Sequence, residues 1–185
     1  MPEPTFNPIS DPTSDPISNL DQVIAQYGGK LLRYATSILY NHQDAEDIVQ
    51  DVFLTALENK DAFAGGNLSA WLYKITYHKA INHLKRRRFI FFSDAPKDSL
   101  TNTGETPLDN QVLDILKTLK PPDRALVYAR TVEGYSYQEL AQQMDATPAA
   151  LRKRYARARA KLAKELSTQT PDLSPSHPPK GAASQ

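Results

Sequence analysis

The sequence predicts an all-α protein made of two small helical domains joined by a flexible linker, the second of them a helix-turn-helix domain. Three observations carry that expectation. Between Leu20 and Leu166 apolar residues recur at three- and four-residue intervals, the period of a helix with one buried face. No stretch alternates apolar and polar residues for long enough to argue a strand pair. Residues 89–107 interrupt the periodicity with an apolar knot, Phe89–Phe92, followed by Ser, Asp, Thr and Gly around Pro96 and Pro107, a connector between two units. The expected organisation is a disordered tail over 1–19, a domain over 20–92, a linker over 93–107, a second domain over 108–166 and a disordered tail over 167–185.

Taken in order, the first helix is expected from about Leu20 to Tyr40. Val23, Ile24, Leu31, Leu32, Ala35, Ile38 and Leu39 supply its buried stripe, and Gly28–Gly29 is expected to bend or break it. The second helix runs from Asp44 to about Asn59, with Ala45, Ile48, Val49, Val52, Phe53, Ala56 and Leu57 inward and Asp44, Glu46 and Asp47 at the positive end of its dipole. A Gly65–Gly66–Asn67 loop precedes a third helix from about Leu68 to Arg88, closing on the cations Lys85–Arg88. In the second domain a helix from Leu108 to about Leu119 is followed by Pro121–Pro122–Asp123, which opens another that Gly134 ends. Ser136 and Glu139 have the spacing of a capping box. Thr147 can cap the last helix, with Pro148 at its first position, as far as about Leu166.

Composition narrows the chemistry. The 185 residues hold no cysteine, which rules out disulfides, zinc ribbons and thiol catalysis. Nine of the 14 prolines fall in the first 16 or the last 15 residues, and those tails have too few large apolar groups to offset their ordering entropy. The chain has neither a signal peptide nor a long apolar run, so a cytoplasmic protein with no membrane contact of its own is expected. The formal net charge is +1 over the whole chain, but the surplus of bases falls entirely within residues 108–166, with 11 bases against 7 acids. That half is where a polyanion would bind.

The helix-turn-helix expectation rests on Ser136–Ala141, a tight turn at Met144–Asp145–Ala146, and the helix opened by Thr147 and Pro148. From Leu151 to Lys164 this helix has seven bases and no acid. Leu151, Tyr155, Ala158 and Leu162 share a core face, leaving Arg152, Lys153, Ala156 and Arg157 on another. An arginine fork can meet guanine O6 and N7 together, and further cations neutralise phosphates. The alternative for the run is a solvated basic helix face.

These motifs resemble those of a bacterial RNA polymerase sigma factor of the extracytoplasmic-function group, which keeps only regions 2 and 4. Ser136–Ala141 and Leu151–Arg159 are similar to the region 4 pattern. Asp44–Phe53 and Phe63–Ile75 are similar to two region 2 patterns. The resemblance implies a promoter-specificity subunit that binds core RNA polymerase and promoter DNA and is held by an anti-sigma factor. It implies polymerase docking through Asp47, Gln50 and Asp51 and capture of the −10 strand by Asn67, Trp71, Lys74, His78, Asn82, Lys85 and Arg86. It places −35 contacts at Thr147, Arg152, Lys153, Arg154 and Arg157. Trp71 can serve either the core or the strand, and Lys85–Arg88 either phosphates or the helix end. The chain departs from the family pattern at His78, where Asn is usual, at Asp145, where Gly is usual, and at Lys153, where Ser is frequent.

No catalytic role, cofactor or metal is expected. His42, His78, His83 and His177 lack metal-ligand spacing, and neither a phosphate-binding glycine loop nor a nucleophile elbow occurs. The competing readings are a stand-alone helix-turn-helix regulator with a protein-binding first domain and, more distantly, an adaptor that uses the acidic second helix.

Overall fold

The computed structural model describes residues 19–63, 65–91 and 110–169. The tails expected to be disordered, the linker expected to be flexible and Phe92 of the apolar knot lie largely or wholly outside them. Seven α-helices and one 3₁₀ turn, Lys60–Ala62, make up the described residues: α1 Leu20–Leu39, α2 His42–Glu58, α3 Leu68–Phe91, α4 Asn110–Lys117, α5 Pro121–Thr131, α6 Tyr137–Gln143 and α7 Pro148–Gln169.

The α1 helix runs unbroken through Gly28 and Gly29, so the break expected there does not occur. Two helical glycines cost about 1 kcal/mol each relative to alanine. Beyond them the helix buries Leu31, Tyr34, Ala35, Ile38 and Leu39 completely or nearly so, at about 1.5–3 kcal/mol for each large side chain. Burial wins. The helix stops at Tyr40, which turns left-handed (φ 57°) while its amide donates to the Thr36 carbonyl. The next helix, α2, starts two residues earlier than expected because Asn41 caps it, its side chain accepting from the Asp44 amide at 3.0 Å. The α3 helix continues through Phe91, so Lys85, Arg86 and Arg87 lie inside it and only Arg88 falls in its last turn. Neither proline nor glycine occurs between Leu68 and Phe91 to halt it.

Two expected core residues are not buried. Ile24 is 40% and Leu57 44% exposed, because nothing among the described residues covers that side of α1 and α2.

The helices α1, α2 and α3 pack on one another, while α5 leans on α1, α6 on α3, and α7 on α5 and α6. Both halves therefore contribute to one apolar core, in which Leu31, Tyr34, Leu72 and Tyr73 are continuous with Leu126, Tyr128, Leu140 and Leu151. A smaller cluster of Leu116, Leu119, Val127 and Ala158 seats α4 against α5 and α7.

Candidate nucleic-acid interface

The last two helices are built by their caps. The Glu139 carboxylate accepts from the Ser136 amide at 2.7 Å and the Ser136 hydroxyl from the Glu139 amide at 3.2 Å. These bonds hold the Glu139 carboxyl below its ordinary range. Asp145 makes the turn in the left-handed conformation (φ 48°), which Asp tolerates better than most residues. Thr147 then accepts from the Ala150 amide at 3.2 Å, so its hydroxyl caps α7.

On α7, Leu151 and Ala158 are buried and Tyr155 and Leu162 half-buried, as their spacing predicted. Arg152, Lys153 and Arg157 are exposed. The Arg152 guanidinium lies over the Tyr137 ring at 5.5 Å, with Arg130 over the same ring at 5.1 Å. Arg130 also donates to the Tyr135 carbonyl at 2.8 Å. Tyr137 thus orients a candidate base-reading arginine, a role its position in a helix pattern could not reveal. Arg154 differs from its neighbours: its Nε and Nη2 donate to one Asp123 oxygen at 3.1 and 2.9 Å, fastening α7 to α5.

Asp47, Gln50 and Asp51 form an exposed row on α2, with Asp51 accepting from Lys79 Nζ at 2.6 Å. Beside the row lies an apolar groove of about 490 Å³ between α1 and α2, lined by Leu20, Ile24, Val49, Gln50, Phe53 and Leu54. Leu54 is 58% exposed; the sequence reading singled out neither it nor the groove. Asp44 serves structure: Arg87 donates to it at 2.9 Å and His83 Nε2 lies 3.4 Å away, tying the start of α2 to the end of α3.

Along α3, Asn67 accepts from the Ala70 amide at 3.0 Å and so caps the helix, which follows the left-handed pair Gly65 and Gly66. Trp71 is half-buried with its ring 5.4 Å from that of Phe63. Lys74, Asn82, Lys85 and Arg86 are exposed and His78 partly so. Tyr73 and Tyr77, on the same helix, are buried.

The second half of the chain packs against α3 through α5 and α6. Ser69 Oγ and the Tyr135 hydroxyl are 2.6 Å apart, and the Tyr73 ring stands edge-on to Tyr135 at 5.3 Å. Burial raises the Tyr135 hydroxyl to about 12. One turn along, Asp145 lies 3.8 Å from Lys74 Nζ and 3.3 Å from His78 Nε2. At the other end of the seam Arg124, 3% exposed, donates to the Ile38 carbonyl at 2.5 Å, meeting the negative end of α1. Burial lowers its guanidinium to about 10. The Tyr40 hydroxyl donates to Asp114 at 2.7 Å, and burial together with that bond pushes it up to about 12.

Among the described residues no group of three or more His, Asp or Glu could hold a metal ion, and no helix is long and apolar enough to cross a membrane.

Comparison with known proteins matches this architecture twice along the chain. The family profile described as Sigma-70 region 2 matches residues 23–90, and that described as Sigma-70, region 4 matches residues 109–162. The chain is 27% identical over 172 residues to the ECF RNA polymerase sigma factor SigE of Mycolicibacterium smegmatis, covering 86% of this chain and 67% of that protein. It is 28% identical over 151 residues to SigM of Mycobacterium tuberculosis, covering 79% and 76% respectively. Among solved structures, the sigma factor RpoE in complex with the anti-sigma factor NepR from Bartonella quintana superposes with a TM-score of 0.68 at 24% identity, over 82% of this chain and 98% of that one. CnrH in complex with the cytosolic domain of CnrY gives 0.62 at 26%, over 81% and 88%. Two matched regions in the right order, with full-length relatives bearing the same description, mean that the chain belongs to the extracytoplasmic-function sigma factors, the promoter-specificity subunits of bacterial RNA polymerase.

Proposed function

We propose that the three exposed faces divide the work of initiation. The row Asp47, Gln50 and Asp51, with the groove beside it, docks core polymerase. Asn67, Trp71, Lys74, His78, Asn82, Lys85 and Arg86 meet the −10 strand, and Thr147, Arg152, Lys153 and Arg157 meet the −35 duplex, with Arg154 behind them. The observation that carries this reading is α7: a capped helix whose first turns expose Arg152, Lys153 and Arg157 while Leu151 and Ala158 hold its opposite side in the core. Arg152 and Lys153 are placed to read base edges; Arg157 grips phosphate, and Arg154 positions the helix through Asp123. Residues 20–92 and 108–166 act as the two working domains, with the linker between them.

The chain contributes recognition, and the polymerase supplies the chemistry, in the cytoplasm where both meet DNA. One neighbour of the fold was solved with an anti-sigma factor and another with the cytosolic domain of a second protein, which supports a partner of the anti-sigma kind here. The α1–α2 groove offers it apolar surface.

The test is initiation from core polymerase freed of other sigma factors. Gln50→Ala with Asp51→Lys is expected to retain native helicity and lose core binding; native helicity with unchanged core affinity refutes the docking assignment. A chain that binds promoter duplex tightly alone and never supports initiation would be a stand-alone regulator.

A further inference from the structure

The −35 and −10 elements lie about 25 base pairs apart, on the order of 80 Å along B-DNA at 3.4 Å per base pair. In this structure the −10 face of α3 instead touches the helix-turn-helix, so reading both elements requires the two halves to separate. The contacts that must break include one made by a single turn residue. Asp145 stands in the turn between α6 and α7, in a left-handed conformation that glycine adopts at no steric cost. Its two carboxylate oxygens face two different groups on α3, Oδ1 toward Lys74 and Oδ2 toward His78.

We propose that Asp145 is an electrostatic latch that stands in for DNA phosphate, holding the chain closed by occupying Lys74 and His78 until polymerase and promoter draw the halves apart. This deepens the proposed −10 role of α3 and rests on it.

The physical setting suits a latch rather than a permanent joint. The side chains of Asp145 and Lys74 are 66% and 46% exposed, so that ion pair is weak, salt-sensitive and open to competition by other anions, while His78 adds a close contact to the same carboxylate. A fully buried pair would resist both. Beneath the latch the Tyr73 ring meets Tyr135 edge-on and is fully buried, which adds an apolar closing force. Within the same seam the buried Tyr34 hydroxyl finds no hydrogen-bond partner among the described residues, a desolvation cost that opening can relieve. The latch therefore biases a balance of larger opposing terms.

The absence of cysteine in the chain makes the test direct. Glu58→Cys on α2 and Ala160→Cys on α7, both exposed, carry a fluorophore pair that reports the distance between halves in the full chain. Asp145→Asn keeps tolerance of the left-handed turn and removes the charge; Asp145→Gly does so with the least backbone strain. Each is expected to raise the open-to-closed ratio about threefold at low salt. Raising salt to about 1 M, where the screening length falls to about 3 Å, should open the parent chain in the same sense and leave both variants nearly unmoved. Across the parent and the two variants compared at the same low salt, where counterion release weighs on all three alike, binding of a labelled mixed-sequence DNA single strand by the free chain should rise with the open fraction. An interdomain distance that is the same in the parent and both variants at both salts overturns the latch, whatever the oligonucleotide does. If the distance responds and strand binding does not, the −10 assignment of α3 fails, and the phosphate-mimic claim with it.

Discussion

Arg152 and Arg154 sit two positions apart on α7, carry the same charge and meet different surroundings. Arg152 is exposed and steadied by the Tyr137 ring, whereas Arg154 is bonded twice to Asp123. In holoenzyme, Arg152→Ala is expected to cost about 1–3 kcal/mol on the best −35 sequence and to relax discrimination at one or two base pairs. A uniform loss across −35 variants would show that it grips without reading. Arg154→Ala should lower the stability of the chain by roughly 1–3 kcal/mol, as expected for hydrogen bonds to a charged group. It should weaken all −35 sequences alike; urea unfolding and a −35 variant panel separate the two outcomes. His78→Asn is expected to change the ranking of −10 variants while core affinity stays fixed.

At the scale of the element, α6 is only seven residues long and depends on its ends. Ser136→Ala is expected to cost about 1 kcal/mol by removing the cap. Glu139 adds a pH dependence whose sign follows from its depressed pKa. Its contribution is present above the ordinary carboxylate range near 4.3 and disappears as pH falls through the lower folded value. Urea melts should therefore separate Glu139→Ala from the parent at pH 7, with the two converging toward pH 3. A difference that persists unchanged at acid pH would mean that the carboxylate is not the source. The longer α3 raises a different issue, because half-buried Trp71 and Ile75 flank the buried Leu72, Tyr73, Thr76, Tyr77 and Ala80, so that the covered arc spans about 240° at 3.6 residues per turn, wider than a single apolar stripe. A helix with apolar residues round most of its circumference is covered on more than one side. That pattern was present in the sequence beside Trp71 and Ile75, and it signals the second half of the chain packing on α3 as much as it signals DNA.

At the scale of the molecule, a single core through both halves predicts joint unfolding. Trp71, the one tryptophan, reports on α3, while hydrogen exchange reports on α6 and α7. The fluorescence and exchange transitions should coincide in urea. Two separated transitions would mean that the seam contributes little to stability. Tyr135→Phe keeps the ring against Tyr73 and removes the 2.6 Å bond to Ser69, so it should lower the common midpoint modestly, by about 0.5–1.5 kcal/mol, without splitting it.

Local physics was legible in the sequence wherever a few adjacent residues decide the outcome. The Ser136–Glu139 capping box, the Thr147 cap ahead of Pro148, the left-handed turn at Asp145 and the core face of α7 all depend on near neighbours, as does the exposure of Asp47, Gln50 and Asp51. Where distant segments compete, the sequence alone was not enough. Continuity of α1 through Gly28–Gly29 follows from the burial gained on both sides of it, and the exposure of Ile24 and Leu57 from the lack of a covering element. The engagement of Lys74 and His78 by Asp145, some seventy residues away, and of Arg154 by Asp123 follows from how helices meet. Propensity and capping act within a turn or two of the backbone, whereas burial and ion pairing depend on which surfaces come together, and only the tertiary structure decides that.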